Sequence, residues 1–198
     1  EHVSFCYPGS VTYALRDINM EFQIGEKMAV VGMNGSGKST FIKLLCRLYD
    51  PTEGVITLNG IDIRRYNYQE YLSLFSVVFQ DFKLLSFTLG ENVAVSEEYS
   101  GERVRDALEK AGLEEFLQRR ENGLSTVLYR DFDNDGIEVS GGEAQKIALA
   151  RAVCKGAPFV LLDEPTAALD PRAEYEIYRR FNDLVADRTT VYISHRMS

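Results

Sequence analysis

Four apolar residues, Met28-Ala29-Val30-Val31, run directly into Gly32-Met33-Asn34-Gly35-Ser36-Gly37-Lys38-Ser39, and a helical pattern from Thr40 to Leu48 follows. A continuous apolar run suits a strand covered on both faces. The loop fits Gly-x-x-x-x-Gly-Lys-Ser/Thr, in the strand–loop–helix setting that this chemistry requires. Its glycines let backbone N–H groups converge on phosphate oxygens, and the following helix points the positive end of its dipole at the same place. Lys38 would reach the β- and γ-phosphates, and the Ser39 hydroxyl would bind Mg²⁺. The bland alternative, an ordinary glycine-rich turn, leaves the flanking strand and helix unexplained.

The rest of the chain reads as strands alternating with helices. Val3, Phe5 and Tyr7 alternate as a half-buried strand does, and so do Ile18 to Phe22, which suggests a small antiparallel sheet near the N-terminus. Gly54 to Asn59 and Phe75 to Phe79 read as strands, and Glu102 to Arg120 as a helix with apolar residues at helical spacing. Glu143 to Lys155 reads as a helix, Phe159 to Leu162 as a buried strand, Ala173 to Ala186 as a helix and Thr189 to Ile193 as a last strand. That alternation means an α/β fold with a largely parallel sheet. The helical block from about Asp81 to Ala150 interrupts it and reads as an inserted subdomain.

Composition removes several function classes. The 198 residues are 45% hydrophobic, enough for a substantial core. Lys plus Arg number 22 against 30 Asp plus Glu, a net charge of −8, so no nucleic-acid partner is expected. No apolar stretch approaches the ~20 residues that span a bilayer. Cys6, Cys46 and Cys154 are widely spaced and read as small reduced hydrophobes. The chain opens at Glu1 rather than Met, which reads as a fragment or processed chain.

Two further segments carry chemistry. Phe159-Val160-Leu161-Leu162 ends in Asp163-Glu164. Successive strand residues point opposite ways, so the two carboxylates need not share a role. Asp163 suits the Mg²⁺ side, as in phosphate-loop NTPases generally, and Glu164 could orient or deprotonate an attacking water. Val139-Ser140-Gly141-Gly142-Glu143 opens the helix running into Ala148-Leu149-Ala150-Arg151, and a Ser with two glycines at a helix start would make a second anion site.

Taken together these segments resemble the nucleotide-binding domain of ATP-binding cassette (ABC) transporters, whose signature is Leu-Ser-Gly-Gly-Gln. The resemblance covers essentially all 198 residues. It implies one domain over 1–198, with 1–80 and 151–198 as a RecA-like phosphate-loop core carrying an N-terminal antiparallel β subdomain, and 81–150 as an inserted α-helical subdomain. It implies ATP and Mg²⁺ as cofactors and ATP hydrolysis as the activity. Gly32, Asn34, Gly35, Ser36, Gly37, Lys38, Ser39 and Thr40 would hold the phosphates, and Ser39, Gln80 and Asp163 the metal. Gln80 looks like the Q-loop glutamine, Ala168-Leu169-Asp170 like the D-loop, and His195 like the switch histidine that contacts the γ-phosphate. Catalytic roles would then fall to Lys38, Gln80, Glu164 and His195. Tyr7, in Phe5-Cys6-Tyr7-Pro8-Gly9, resembles the aromatic that stacks on adenine, with Tyr13 as its rival. Ser140, Gly141 and Gly142 would cap the ATP of a second, head-to-tail cassette.

Departures from the family pattern set the finer expectations. Val139 replaces Leu and Glu143 replaces Gln in the signature, and Asp133-Asn134-Asp135-Gly136 stands where exporters carry a Gly-Glu-Arg-Gly-like coupling segment. Asp131 to Gly136 begins like a calcium loop, but Gly142 stands where a bidentate Glu is required, so an exposed acidic loop is expected. Phe5-x-Tyr7-Pro8-Gly9 and Gln80-Asp81-Phe82 through Thr88, Glu91, Asn92 and Val93 look like exporters, whereas Pro165 is commoner in importers. The absent start Met fits excision from behind a membrane domain, and the chain stops three residues after His195, short of the family's last helices. The resemblance therefore implies an exporter ATPase at the cytoplasmic face of a membrane, with a transmembrane domain and a second cassette as partners. A soluble family ATPase of translation control would carry two such cassettes. One of DNA repair would need a long coiled coil where only ~60 residues separate Gln80 from Ser140.

Overall fold

The computed structural model describes residues 1–164, 179 and 188–194. They form two compact units, one of Glu1–Val77, Pro158–Glu164 and the described part of 187–198, the other built on Val78–Ala157.

In the first unit β1 (Val3–Cys6) pairs antiparallel with β2 (Tyr13–Ile18). The pairing sets Leu15 opposite Phe5, and Val3, Phe5, Leu15 and Leu44 bury together. This corrects the expected second strand. Residues 19–22 alternate as a strand would, yet no strand pairs with them among the described residues, whereas residues 13–18 reach β1. A ladder needs a neighbour as well as a pattern.

β3 (Lys27–Val31) leads through the glycine loop into α1 (Lys38–Leu45). The strand expected over 54–59 shrinks to β4 (Thr57–Leu58), which turns back through Asn59-Gly60 into β5 (Ile61–Asp62). Asn59 and Gly60 both have positive φ, 53° and 75°, as a two-residue turn with the twist of a hairpin demands. Then come α2 (Tyr68–Ser73) and β6 (Phe75–Val78). β7 (Phe159–Asp163) and β8 (Thr189–Ser194) complete a four-stranded sheet of order β3-β8-β7-β6. Both β3 and β7 run parallel to β8, the arrangement of an α/β phosphate-loop fold. β7 is the buried strand its apolar run predicts. β3 is not the doubly covered strand its apolar run suggests: Met28 and Val30 are half-buried while Ala29 and Val31 are exposed, Val31 to 53%.

The second unit is helical: α3 (Leu89–Ala94), α4 (Gly101–Lys110), α5 (Glu114–Gln118) and α6 (Gly141–Lys155). α6 packs on α3 and α4, burying Ile147, Ala150 and Cys154 with Leu89, Val93, Val104 and Leu108. The single helix expected over 102–120 is two, because Gly112 (φ +76°) ends the first in a left-handed turn. Buried Asn92 pins the segment before α3, accepting from the Leu85 N–H at 2.9 Å and donating to the Leu85 carbonyl at 2.8 Å. Among the described residues no helix is long and apolar enough to cross a membrane. The helix expected over 173–186 and the D-loop residues lie outside the described residues.

Candidate functional site

The phosphate loop is shaped by two glycines. Gly35 and Gly37 sit at φ +78° and +91°, a region side chains avoid, and a Cβ on Gly37 would also strike the Ala14 carbonyl and the Leu15 side chain. Gly37 is the N-cap of α1. It brings no capping side chain, and no acidic residue lies in the first turn. The helix thus presents its N–H groups and positive dipole end without a built-in anion. The Lys38 amine folds back over the loop and donates to the carbonyls of Gly32 (2.9 Å) and Met33 (3.0 Å). Gly32 and Asn34 to Ser36 are exposed, Gly37 and Ser39 are half-buried, and Lys38 and Thr40 are buried.

Sheet register brings the acidic pair to the same edge. Val31 lies opposite Ser194, and Asp163 lies opposite Ile193, on the two sides of β8. With strands about 4.8 Å apart, the backbone of Asp163 is about 10 Å across the sheet from the start of the loop. Asp163 is 2% exposed and Glu164 9%, although both carry acids. Glu164 has φ +49° and donates its N–H to the Ile193 carbonyl at 3.3 Å. A side-chain-bearing residue in that region costs about 1–2 kcal/mol.

Tyr7, just after β1, reaches the helix that follows the loop. Its hydroxyl shares a 3.0 Å hydrogen bond with Thr40 Oγ1, and its ring meets Phe5 and Tyr49 edge-on at 5.0 and 5.3 Å. Tyr13 is held elsewhere: its hydroxyl donates to Glu53 at 3.0 Å, and the Arg16 guanidinium lies 5.6 Å from its ring centre.

Other expected site residues fall in the second unit. Gln80 is exposed in a turn just after β6. Ser140 caps α6, with Gly141 and Gly142 in its first turn, and Ser140 and Gly141 are exposed. His195 lies outside the described residues. In the acidic loop Asp131, Asp133 and Asp135 are exposed; Asp133 accepts from the Asp135 N–H at 2.9 Å, and Asp131 accepts from the Ser86 hydroxyl.

Sequence reasoning passed over two features. Glu143 closes a reciprocal cap with Ser140, which the Ser-x-x-Glu spacing signals. Arg151, in α6, donates to the carbonyls of Asn92 (2.9 Å) and Lys83 (3.3 Å), tying α6 to the segment leading into α3. No local pattern announces that link.

Comparisons with known proteins point to one family. Residues 15–167 match the ABC transporter family. The chain is 40% identical, over its whole length, to the ATP-dependent lipid A-core flippase of Yersinia pestis, and 38% identical to that of Salmonella typhimurium. A bacterial Atm1-family ABC exporter solved with ATP bound superposes with a TM-score of 0.89 at 34% identity, over 99% of this chain. The chain spans 34% of the length of each of these proteins. With family, sequence relatives and fold in agreement, the chain belongs to the ABC transporter family.

Proposed function

We propose that this chain is the ATP-binding and ATP-hydrolysing cassette of an exporter. One observation carries the reading: an uncapped phosphate loop and a buried Asp–Glu pair share one edge of one parallel sheet. The N–H groups of residues 32–40 and the Lys38 amine bind the phosphates, for which the amine gives up its contacts to the Gly32 and Met33 carbonyls. Tyr7 stacks on the base, favoured over Tyr13 by its link to α1 through Thr40. Glu164 takes the water's proton or orients it, and burial shields that carboxylate from competing solvent. His195 contacts the γ-phosphate.

Ser39, Asp163 and Gln80 offer only hydroxyl, carboxylate and amide oxygens, a hard donor set that fits Mg²⁺. Bound there, the metal would neutralise charge on the β- and γ-phosphates.

Ser140, Gly141 and Gly142 act on the ATP of a second cassette, packed head to tail, so a dimer has two composite sites. The chain works with a transmembrane domain at the cytoplasmic face of a membrane, a reading supported by relatives named as a lipid A-core flippase and an exporter, and a lipid is the first cargo to test. The test of hydrolysis is phosphate release from ATP by the purified chain, expected to need Mg²⁺ and to vanish in Lys38→Ala. Release that survives both metal removal and the substitution overturns the reading.

A further inference from the structure

The two anion-facing helices begin differently. α1 carries no acid in its first turn and no capping side chain. α6 is closed by a carboxylate: Glu143 Oε2 accepts from the Ser140 N–H at 2.8 Å and from the Ser140 hydroxyl at 2.7 Å, while the Glu143 N–H donates to Ser140 Oγ at 3.2 Å. A serine hydroxyl has one proton. While it points at Glu143, it cannot be given to a phosphate oxygen. A carboxylate in the first turn also offsets the helix dipole that would attract an anion.

Glu143 carries its charge at neutral pH. Burial pushes its carboxyl up, but the Ser140 backbone and hydroxyl bonds, together with the charges of Arg120 and Lys146, hold it below the ordinary carboxylate range.

Resting on the reading that the start of α6 meets the ATP of a second copy, we propose that Glu143 is a built-in restraint on pairing. Its carboxylate, held on Ser140 at the start of α6, repels the charge of the incoming γ-phosphate. Pairing is therefore set weaker than the same backbone could make it. A glutamine at this position keeps an oxygen to accept both Ser140 bonds but removes the charge, so it separates the restraint from the cap.

The test uses Glu164→Gln as parent, to preserve ATP during the measurement, and compares it with Glu164→Gln carrying Glu143→Gln. Sedimentation with ATP and Mg²⁺ gives the protein concentration at half-dimer, and thermal melts without nucleotide report the cap. Glu143→Gln should lower that concentration roughly three- to thirtyfold at low salt, because each of two composite sites loses one unfavourable charge of ordinary size. The gap should narrow in about 1 M salt, where screening acts within about 3 Å, and the nucleotide-free melts should coincide. If the parent pairs with ATP and Glu143→Gln pairs no more tightly, the restraint is overturned while the shared site stands. A lower melting temperature with weaker pairing overturns it too, leaving Glu143 as a cap only. If neither protein pairs with ATP at any concentration, the shared-site reading fails and the restraint with it.

Discussion

The hydroxyl of Tyr7 lies 3.0 Å from Oγ1 of Thr40, joining the end of β1 to the first turn of the helix that follows the phosphate loop. The proposed base platform and the helix after the glycine loop are thereby held by one bond between residues 33 positions apart. Tyr7→Ala should weaken ATP binding by about 1–3 kcal/mol, the usual worth of one aromatic–base stack. Tyr7→Phe should keep most of the affinity and lose about 0.5–1.5 kcal/mol of stability with the hydrogen bond. Calorimetric titration and thermal melts separate the two effects. Unchanged affinity in Tyr7→Ala, with a loss in Tyr13→Ala, would transfer the role to Tyr13.

Lys38→Ala should abolish tight ATP binding, since a methyl group cannot replace a phosphate-facing cation. The fold should survive, because the amine's bonds to the Gly32 and Met33 carbonyls lie in an exposed loop. An ATP titration indistinguishable from wild type would remove Lys38 from the phosphate site.

Glu164→Gln should leave ATP affinity intact and slow turnover by on the order of 10²–10⁴, the typical value of a positioned base. Its backbone conformation is unchanged by the swap, so melting should shift little. Wild-type turnover in the purified variant, at matched concentration, would contradict the assignment.

Asn92→Ala should destabilise the helical unit. It strips partners from the Leu85 N–H and carbonyl in a part-buried setting, at about 0.5–1.5 kcal/mol for each bond lost. Amide hydrogen exchange should rise first across 85–94. Uniform exchange with an unchanged melt would show that the segment does not depend on Asn92.

What could be read from the sequence follows the range of the forces involved. The phosphate loop is legible because glycine conformation, helix start and lysine reach are fixed within eight consecutive residues, 32–39. Asp163-Glu164 is legible because an apolar run sets β7 and the acids end it. β2 is displaced from its expected position because pairing with β1 is decided across sequence, where Leu15 reaches the Phe5 cluster and residues 19–22 have no strand partner among the described residues. The break at Gly112 and the turn at Asn59-Gly60 had local signals that helical or alternating spacing overrode. Glu143 shows the opposite failure: as one letter of a signature it looks like a mild replacement, while its geometry fills the cap of α6. The Arg151 link spans 59 residues to Asn92 and has no sequence trace at all.

On the proposed reading, catalysis needs two copies, each lending Ser140 to Gly142 to the other's phosphate loop. Ser140→Arg blocks a signature, and Lys38→Ala blocks a phosphate loop. Phosphate release from each variant alone and from their mixture, at one total concentration, measures the claim directly. Neither variant should turn over ATP alone, and the mixture should regain part of the wild-type rate, since one intact composite site can form in each mixed pair. A mixture that stays inactive while wild type works at the same concentration would contradict the shared site.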